Sequence, residues 1–306
     1  MSKYSFLLPA YKPSFLDEAL ARIVSQTFED FTVIVSDDYS PDDIESIVKR
    51  YKDSRISYRR NPANIGAENL VDHWNLLLES SDAEYVIIAS DDDIYSSKFL
   101  EEIDELAVKY PDADILMARA NTIDNSEQQI SAGDDKQAEF LSFKEFIDNL
   151  LDTRKVHCVG NYVFKRNALK EIGGFVKFPL AWKSDTATAI ALASHGVPCT
   201  SGTLFSFRLS GESITSMPRG TEKYDRLKLL ATEQFFDVIK GIKSQISPQN
   251  TVFFKRRLCG EMQSYYWTLG FSEFLGLYWR MITRNRFASI RNAASFIVNW
   301  FVAKKR

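Results

Sequence analysis

From Tyr85 to Ala89 the chain is apolar without a break, and it then stops at Ser90-Asp91-Asp92-Asp93. A short apolar run with polar ends reads as a strand buried on both faces, as in a parallel sheet. Such sheets bind ligands beyond the carboxyl ends of their strands. Carboxylates crowded at that end repel one another unless a cation sits among them. A hard divalent cation bridging carboxylates to substrate phosphates suits these oxygens. The competing reading is a helix start, with Asp93 or Ser96 as the cap of a helix beginning near Ser96.

A second acidic tip strengthens the first reading. The apolar run Phe31–Val35 ends in Ser36-Asp37-Asp38. Strand and helix patterns alternate through about the first 120 residues at βαβ spacing. Strands are expected at Tyr4–Ala10, Phe31–Val35, Ile56–Arg59, Tyr85–Ala89 and Asp114–Ala120. The expected helices run from about Ser14 to Gln26, from Ser40-Pro41 to Tyr51, after Gly66 to Glu79, and from Ser96 to Lys109. Parallel strands share one carboxyl edge, so both acidic tips should face one crevice. Asp37 is expected to cap the turn that follows it.

Farther on, 121–135 reads as a loop or hairpin, Leu141–Leu151 as helix and Val159–Lys165 as strand. A short helix at Asn167–Ile172 stops at Gly173-Gly174, a usual helix end. Ser184–Ser194 is a helix opening with Asp185, and Val197–Phe207 is a strand. After Gly220 the pattern is helical throughout, over Tyr224–Ile242, Thr251–Leu269 and Phe271–Val302. The division predicted is therefore an α/β domain over 1–219 and a helical extension over 220–306.

Composition narrows the function. The 306 residues carry a net charge of -3, which gives no general pull toward nucleic acid. The cysteines Cys158, Cys199 and Cys259 form no CxxC pair, which suits a reducing compartment and no zinc site. The first residues enter a strand at once, so no signal peptide is expected, and no apolar run is long enough to span a bilayer. The last helical stretch combines Trp and Phe with Arg280, Arg284, Arg286, Arg291, Lys304, Lys305 and Arg306. That is the pattern of an interfacial membrane helix. It equally suits a cap packed on the catalytic domain or a homodimer contact.

Four segments, in this order and spacing, resemble family 2 glycosyltransferases. They are Phe6-Leu7-Leu8-Pro9-Ala10-Tyr11, Ser25-Gln26-Thr27-Phe28-Glu29-Asp30-Phe31, Val35-Ser36-Asp37-Asp38-Tyr39-Ser40-Pro41-Asp42, and Ser90-Asp91-Asp92-Asp93-Ile94-Tyr95. The resemblance covers about the first 210 residues and implies a GT-A fold, a Rossmann-like nucleotide-binding domain with a mixed, mostly parallel sheet. It implies a nucleotide-sugar donor, a UDP-sugar first, with Mn2+ or Mg2+ and inversion at the sugar carbon.

Carried over by residue, Pro9, Ala10 and Tyr11 would flank the base, and Asp38 would accept its ring N–H. Asn64 and Gly66 match the family loop before the central strand. Asp91 would hold the ribose and Asp92 the metal, with Asp93 an alternative ligand or a supporting group. Glu68 stands where many members carry a basic residue. Asp185, after Gly173-Gly174-Phe175, would be the base, or simply an anion at a helix N-terminus. The segment Phe207 to Thr215 resembles Y-R-x-H-x-x-S-x-S, with Ser210 in place of the histidine. There Arg208 would approach the diphosphate. Trp182 and His157 are the remaining candidates at the acceptor side.

The expected activity is transfer of a sugar to a glycan or lipid-linked acceptor in surface-polysaccharide synthesis, in the cytoplasm or on the inner face of the cell membrane. A nucleotidyltransferase would carry a glycine-rich loop after the first strand, and Pro9-Ala10-Tyr11-Lys12-Pro13 has none. A catalytically silent scaffold is the other alternative.

Overall fold

A computed structural model of the chain describes residues 2–131, 138–152, 154–214 and 222–265, and beyond these only 270, 272, 273, 275, 276, 279 and 280. It divides into two compact units. The first comprises 1–177 and 184–216; the second comprises 178–183 and 217–306. Much of the basic segment after 271 lies outside the described residues.

The first unit is built on a sheet of β1 (Tyr4–Ala10), β2 (Phe31–Asp37), β3 (Ile56–Arg60), β4 (Tyr85–Ile88), β5 (Ile94–Tyr95), β6 (Ile115–Ile123), β7 (Gln129–Ser131), β8 (Phe140–Leu141), β9 (Tyr162–Lys165) and β10 (Val197–Arg208). Among the described residues its order is β3-β2-β1-β4-β9-β6-β10-β5, with β7 on β6 and β8 on β10. The strands β1 to β4 pair in parallel. Antiparallel β9 separates β4 from β6, and β10 then pairs in parallel with β6. Two antiparallel steps leave β6 running with β4. The carboxyl ends of β1, β2, β3, β4, β6 and β10 therefore share one edge, where β9 begins.

The helices follow from apolar spacing. In α1 (Leu16–Val24), Leu16, Leu20 and Ile23 are buried, with Asp17 and Glu18 in the first turn and Arg22 in the last. That charge order suits the helix dipole. The others in this unit are α2 (Ile44–Lys49), α3 (Leu70–Glu79), α4 (Phe99–Lys109), α5 (Phe143–Leu151), α6 (Arg166–Glu171) and α7 (Ser184–Leu192). A Ser142–Glu145 capping box starts α5. The core beneath the shared edge is aromatic. Tyr95 makes edge-on contacts with Phe6, Phe99 and Phe205, at centroid distances of 5.1, 4.8 and 5.1 Å. Thus the residue two places after the aspartates is nailed into the core, which fixes where their loop ends.

Several boundaries differ from the expected ones. The second helix starts at Ile44, capped by Asp43, while the Ser40 hydroxyl donates to the Tyr11 carbonyl at 2.6 Å and accepts Asp42 N at 3.1 Å in the turn before it. The fourth starts at Phe99 with no side-chain cap, so neither Asp93 nor Ser96 is a helix cap. Residues Val159–Asn161 form a 3-10 turn, and strand begins only at Tyr162.

The second unit contains α8 (Glu222–Gly241), α9 (Pro248–Tyr265) and the strap 178–183. Leu180, Ala181 and Lys183 in the strap have φ of 59°, 53° and 65°, an arrangement L residues rarely adopt. Trp182 Nε1 donates to Glu261 at 2.8 Å, and Lys183 pairs with the same carboxylate at 2.8 Å.

Candidate active site

The loops at the shared edge are stitched to one another by backbone bonds. Asp38 N donates to Ala10 O at 2.8 Å, and Asn61 N donates to Asp37 O at 2.8 Å. The Asp91 carboxylate accepts the backbone N–H groups of Tyr11 and Lys12 at 3.3 and 3.1 Å. Both acidic tips are thus fastened to the loop Pro9-Ala10-Tyr11. Tyr11 and Tyr39 are exposed there, Tyr39 with φ 57° and the Arg60 guanidinium 4.8 Å from its ring centroid.

The two aspartates of the first tip do different work. Asp37 is fully buried and accepts from Ser40 N at 2.7 Å, Tyr58 Oη at 2.8 Å and Arg60. That is the turn cap expected of it. Asp38 is 7% exposed, and its carboxylate accepts four protein donors. Oδ1 takes Asn61 Nδ2 and Ile65 N, both at 2.9 Å; Oδ2 takes Asn64 Nδ2 at 3.1 Å and Gly66 N at 2.9 Å. A carboxylate offers about four acceptor sites. In this arrangement Asp38 organises the Asn64–Gly66 loop, and a base N–H would have to displace one of its donors. Gly66, whose N–H meets Asp38, has a left-handed φ of 76°, which suits glycine at this turn.

The second tip carries the electrostatic strain. Burial first, and then the Asp92 charge, push Asp91 up to about 6, against the two amide donors. Asp93 is pushed well above the carboxylate range by burial and Asp92, although its Oδ1 accepts Arg208 N at 3.0 Å. Asp92 is 8% exposed and accepts one hydroxyl on each oxygen, Ser90 Oγ on Oδ1 and Ser210 Oγ on Oδ2 at 2.7 Å. Among the described residues no three His, Cys, Asp or Glu side chains converge on one point. A cation held here would take one or two carboxylates from the protein and the rest of its shell from phosphate and water, the usual habit of Mg2+. The strained carboxylates, all hard oxygen donors, fit that use.

Arg208 does not sit where the diphosphate contact was expected. Its side chain is fully buried. Nε donates to Asp92 O at 2.8 Å and Nη1 to Asp124 O and Asn125 O at 3.3 Å, while Nη2 pairs with Glu18 at 3.0 Å. The guanidinium also lies 4.4 Å from the Phe15 ring centroid. Nε and Nη1 are engaged by backbone carbonyls and Nη2 makes no hydrogen bond beyond its ion-pair approach to Glu18, so in this structure the side chain braces the loop from inside the protein. His157 is likewise engaged on both ring nitrogens, with Tyr162 Oη at 2.8 Å and Asn149 O at 3.3 Å. It packs at the start of β9 rather than pointing a bare nitrogen at an acceptor. Trp182 belongs to the second unit, where the Lys228 ammonium lies 4.7 Å from its ring centroid.

Asp185 lies in the first turn of α7, half-buried, with Thr186 N donating to it at 2.6 Å. Its charge, together with that of Asp93, adds to the burial that raises the Cys158 thiol. Burial and Asp185 also raise Tyr162. Cys158 therefore lies within electrostatic reach of both the acidic loop and Asp185. Ser90 and Ser210, which the sequence shows only as parts of their segments, are the two hydroxyls that hold Asp92. The signal for Ser210 was its place two residues after Arg208, in a segment already singled out.

Comparison with known proteins agrees with this geometry. The model of a family described as glycosyl transferase family 2 matches residues 5–173, more than half of the chain. Over 96 residues the chain is 34% identical to a Campylobacter jejuni protein named GalNAc(5)-diNAcBac-PP-undecaprenol beta-1,3-glucosyltransferase. That match spans 30% of this chain and 30% of the relative's length. Among solved structures, S. aureus TarS 1-349 in complex with UDP-GlcNAc superposes with a TM-score of 0.61 at 14% identity, over 99% of this chain and 90% of that one. The mannosyltransferase PcManGT from Pyrobaculum calidifontis, in complex with GDP-Man and Mn2+, gives 0.56 at 16% identity, over 99% and 86%. At these identities the structural likeness is one of fold.

Proposed function

Since the chain belongs to glycosyltransferase family 2, we propose that it moves a sugar from a nucleotide-sugar donor to a hydroxyl of a glycan or lipid-linked acceptor, inverting the sugar carbon, with Mn2+ or Mg2+ at Asp92 and Asp93. The observation that carries this reading is the shared strand edge at which Asp91 accepts Tyr11 N and Lys12 N while Asp38 N meets Ala10 O, in a chain whose residues 5–173 match the family. Burial, and after it the charges of Asp93 and Asp185, raise the Cys158 thiol, which is consistent with Asp185 acting near that edge.

The division of labour follows. The loop Pro9-Ala10-Tyr11, the Asp38-held loop at Asn64 and Gly66, and Asp91 seat the nucleotide. Asp185 accepts the proton of the acceptor hydroxyl as that oxygen bonds to the anomeric carbon and the bond from that carbon to the diphosphate oxygen breaks. The nucleoside diphosphate leaves unprotonated, so the protein needs no second carboxyl as acid. A divalent cation, when bound, supplies positive charge to the diphosphate. Arg208 is buried and Glu68 is acidic, which leaves more of the diphosphate's neutralisation to the cation.

A UDP-sugar is the donor to test first, since one structural neighbour holds UDP-GlcNAc; GDP-Man, held by another, is the second. The named relative includes a polyprenyl diphosphate, which supports a lipid-linked acceptor. Among the described residues no helix is long and apolar enough to cross a membrane. We place the protein on a cytoplasmic membrane surface through the basic, aromatic segment after 271. Sedimentation with anionic vesicles tests this, and a shift from dimer to monomer on deleting that segment would assign it to self-association instead.

The test of the function is a thermal-shift screen of nucleotide sugars with Mn2+, followed by a hydrolysis assay on the hits. Binding to the native state alone raises the melting point. The expected result is stabilisation by one nucleotide class with slow metal-dependent hydrolysis. No shift by any nucleotide would overturn the proposal.

A further inference from the structure

The end of β10 makes three contacts on two consecutive aspartates of the acidic loop. Arg208 N meets Asp93 Oδ1, Arg208 Nε meets Asp92 O, and Ser210 Oγ meets Asp92 Oδ2, at 3.0, 2.8 and 2.7 Å. Both residues are buried. The arginine reaches four segments at once, namely its own strand, the 92–93 backbone, the 124–125 turn, and α1 through Glu18 and Phe15. Ser210 is itself fixed, because Glu212 N donates to its hydroxyl at 3.2 Å.

Asp91 is held separately, by Tyr11 N and Lys12 N, and the loop's end by Tyr95 in the aromatic core, so the β10 contacts are the ones that bear on Asp92 and Asp93. A guanidinium offers several donors in a rigid plane, which lets one buried side chain hold three backbone carbonyls in two segments. A serine hydroxyl on a carboxylate oxygen selects the rotamer of that carboxylate. Groups that orient a metal-binding carboxylate without touching the metal typically set its affinity by 10–100-fold.

We propose that Arg208 and Ser210 are positioning residues that preset Asp92 and Asp93 for a divalent cation, rather than ligands of the diphosphate. The inference rests on the metal reading given above. It makes Ser210, at the place where the resembling family has a histidine, a group that acts through Asp92.

The experiment measures Mn2+ affinity directly, by counting free Mn2+ by electron paramagnetic resonance in the presence of UDP, for the wild type, Arg208→Lys, Ser210→Ala and Ser210→Thr. Arg208→Lys keeps the charge and loses the fork; Ser210→Ala loses one hydroxyl and is a small enough change to fold. Both should weaken Mn2+ binding by roughly 10–100-fold. Ser210→Thr, which keeps a hydroxyl, should recover most of it. UDP affinity measured in EDTA should be unchanged in all three. A lower melting point with wild-type Mn2+ affinity would show a purely structural role and overturn the inference. So would lost UDP affinity in EDTA for Arg208→Lys, which would return the arginine to the phosphates. A wild-type protein that binds no Mn2+ would remove the metal reading itself, and this inference with it.

Discussion

Asp38 accepts the backbone N–H of Gly66 at 2.9 Å, and this bond joins the loop after one strand to the loop after the next. Three more donors complete the same carboxylate. The two loops are therefore one folded piece, organised around a buried anion.

Replacing that anion by an amide sets an NH2 group against N–H donors. Asp38→Asn should cost about 1–3 kcal/mol, the usual result of leaving buried groups unpaired. Chemical denaturation measures it. Donor affinity should fall in parallel, because the Asn64–Gly66 loop loses its anchor. Unchanged stability with lost donor binding would instead place Asp38 on the base.

The acidic loop should make the metal-free protein sensitive to pH. Asp91 has an ordinary value of 3.8 and is raised to about 6 in the fold. Between those values the folded chain binds more protons than the unfolded one, so this contribution to stability falls as pH rises through the window. Asp91→Asn should therefore stabilise the protein in EDTA above pH 6, by on the order of 1–3 kcal/mol, with no gain below pH 4. Taking the difference from wild type cancels the other carboxylates. Mn2+ with UDP should shrink the difference, because a cation favours the charged form.

The parts of this site that could be read from residues alone are those where the chain changes character abruptly. An apolar run that ends in aspartates marks a strand end, and so Asp38, Asp91 and Asp92 fall at one edge. Asp37 as a turn cap is equally local, since the bond runs to Ser40 three residues on. Arg208 was not legible, because an arginine beside a phosphate-binding pattern looks the same whether its fork faces a ligand or Asp92 O. Only burial distinguishes them. The place of β9 was hidden too, since four residues carry no sign of their direction. At Ser40-Pro41 the Ser40 oxygen does accept a backbone N–H, that of Asp42, but the helix itself begins three residues on from Pro41 with Asp43 as its cap.

The packing of Gly160 under Tyr95 and Phe205 tolerates little extra volume. A Cβ on Gly160 would lie 2.7 and 2.8 Å from two ring carbons of Phe205 and 3.2 Å from Tyr95 Oη. Tyr95 also donates to Gly160 O at 3.0 Å. Gly160→Ala should lower stability by about 1–3 kcal/mol, as overpacking does. The same shift would tilt Tyr95 and the loop before it, so Mn2+ affinity should drop as well. Calorimetry with and without Mn2+ separates the two effects.

The base assignment has the sharpest kinetic consequence. Asp185 sits at the start of α7 with Thr186 N on one of its oxygens, which orients the carboxylate without protonating it. Asparagine accepts the same N–H and fills nearly the same volume, so the helix start should survive the change. What it cannot do is take a proton. Asp185→Asn should therefore keep the donor dissociation constant near wild type by titration calorimetry while transfer falls by about 10²–10⁴-fold, the usual worth of a positioned base. Hydrolysis of the donor by water should fall by a similar factor, because water attacks from the same side. If transfer persists in this variant at near the original rate, Asp185 serves only the helix, and the proton must go elsewhere.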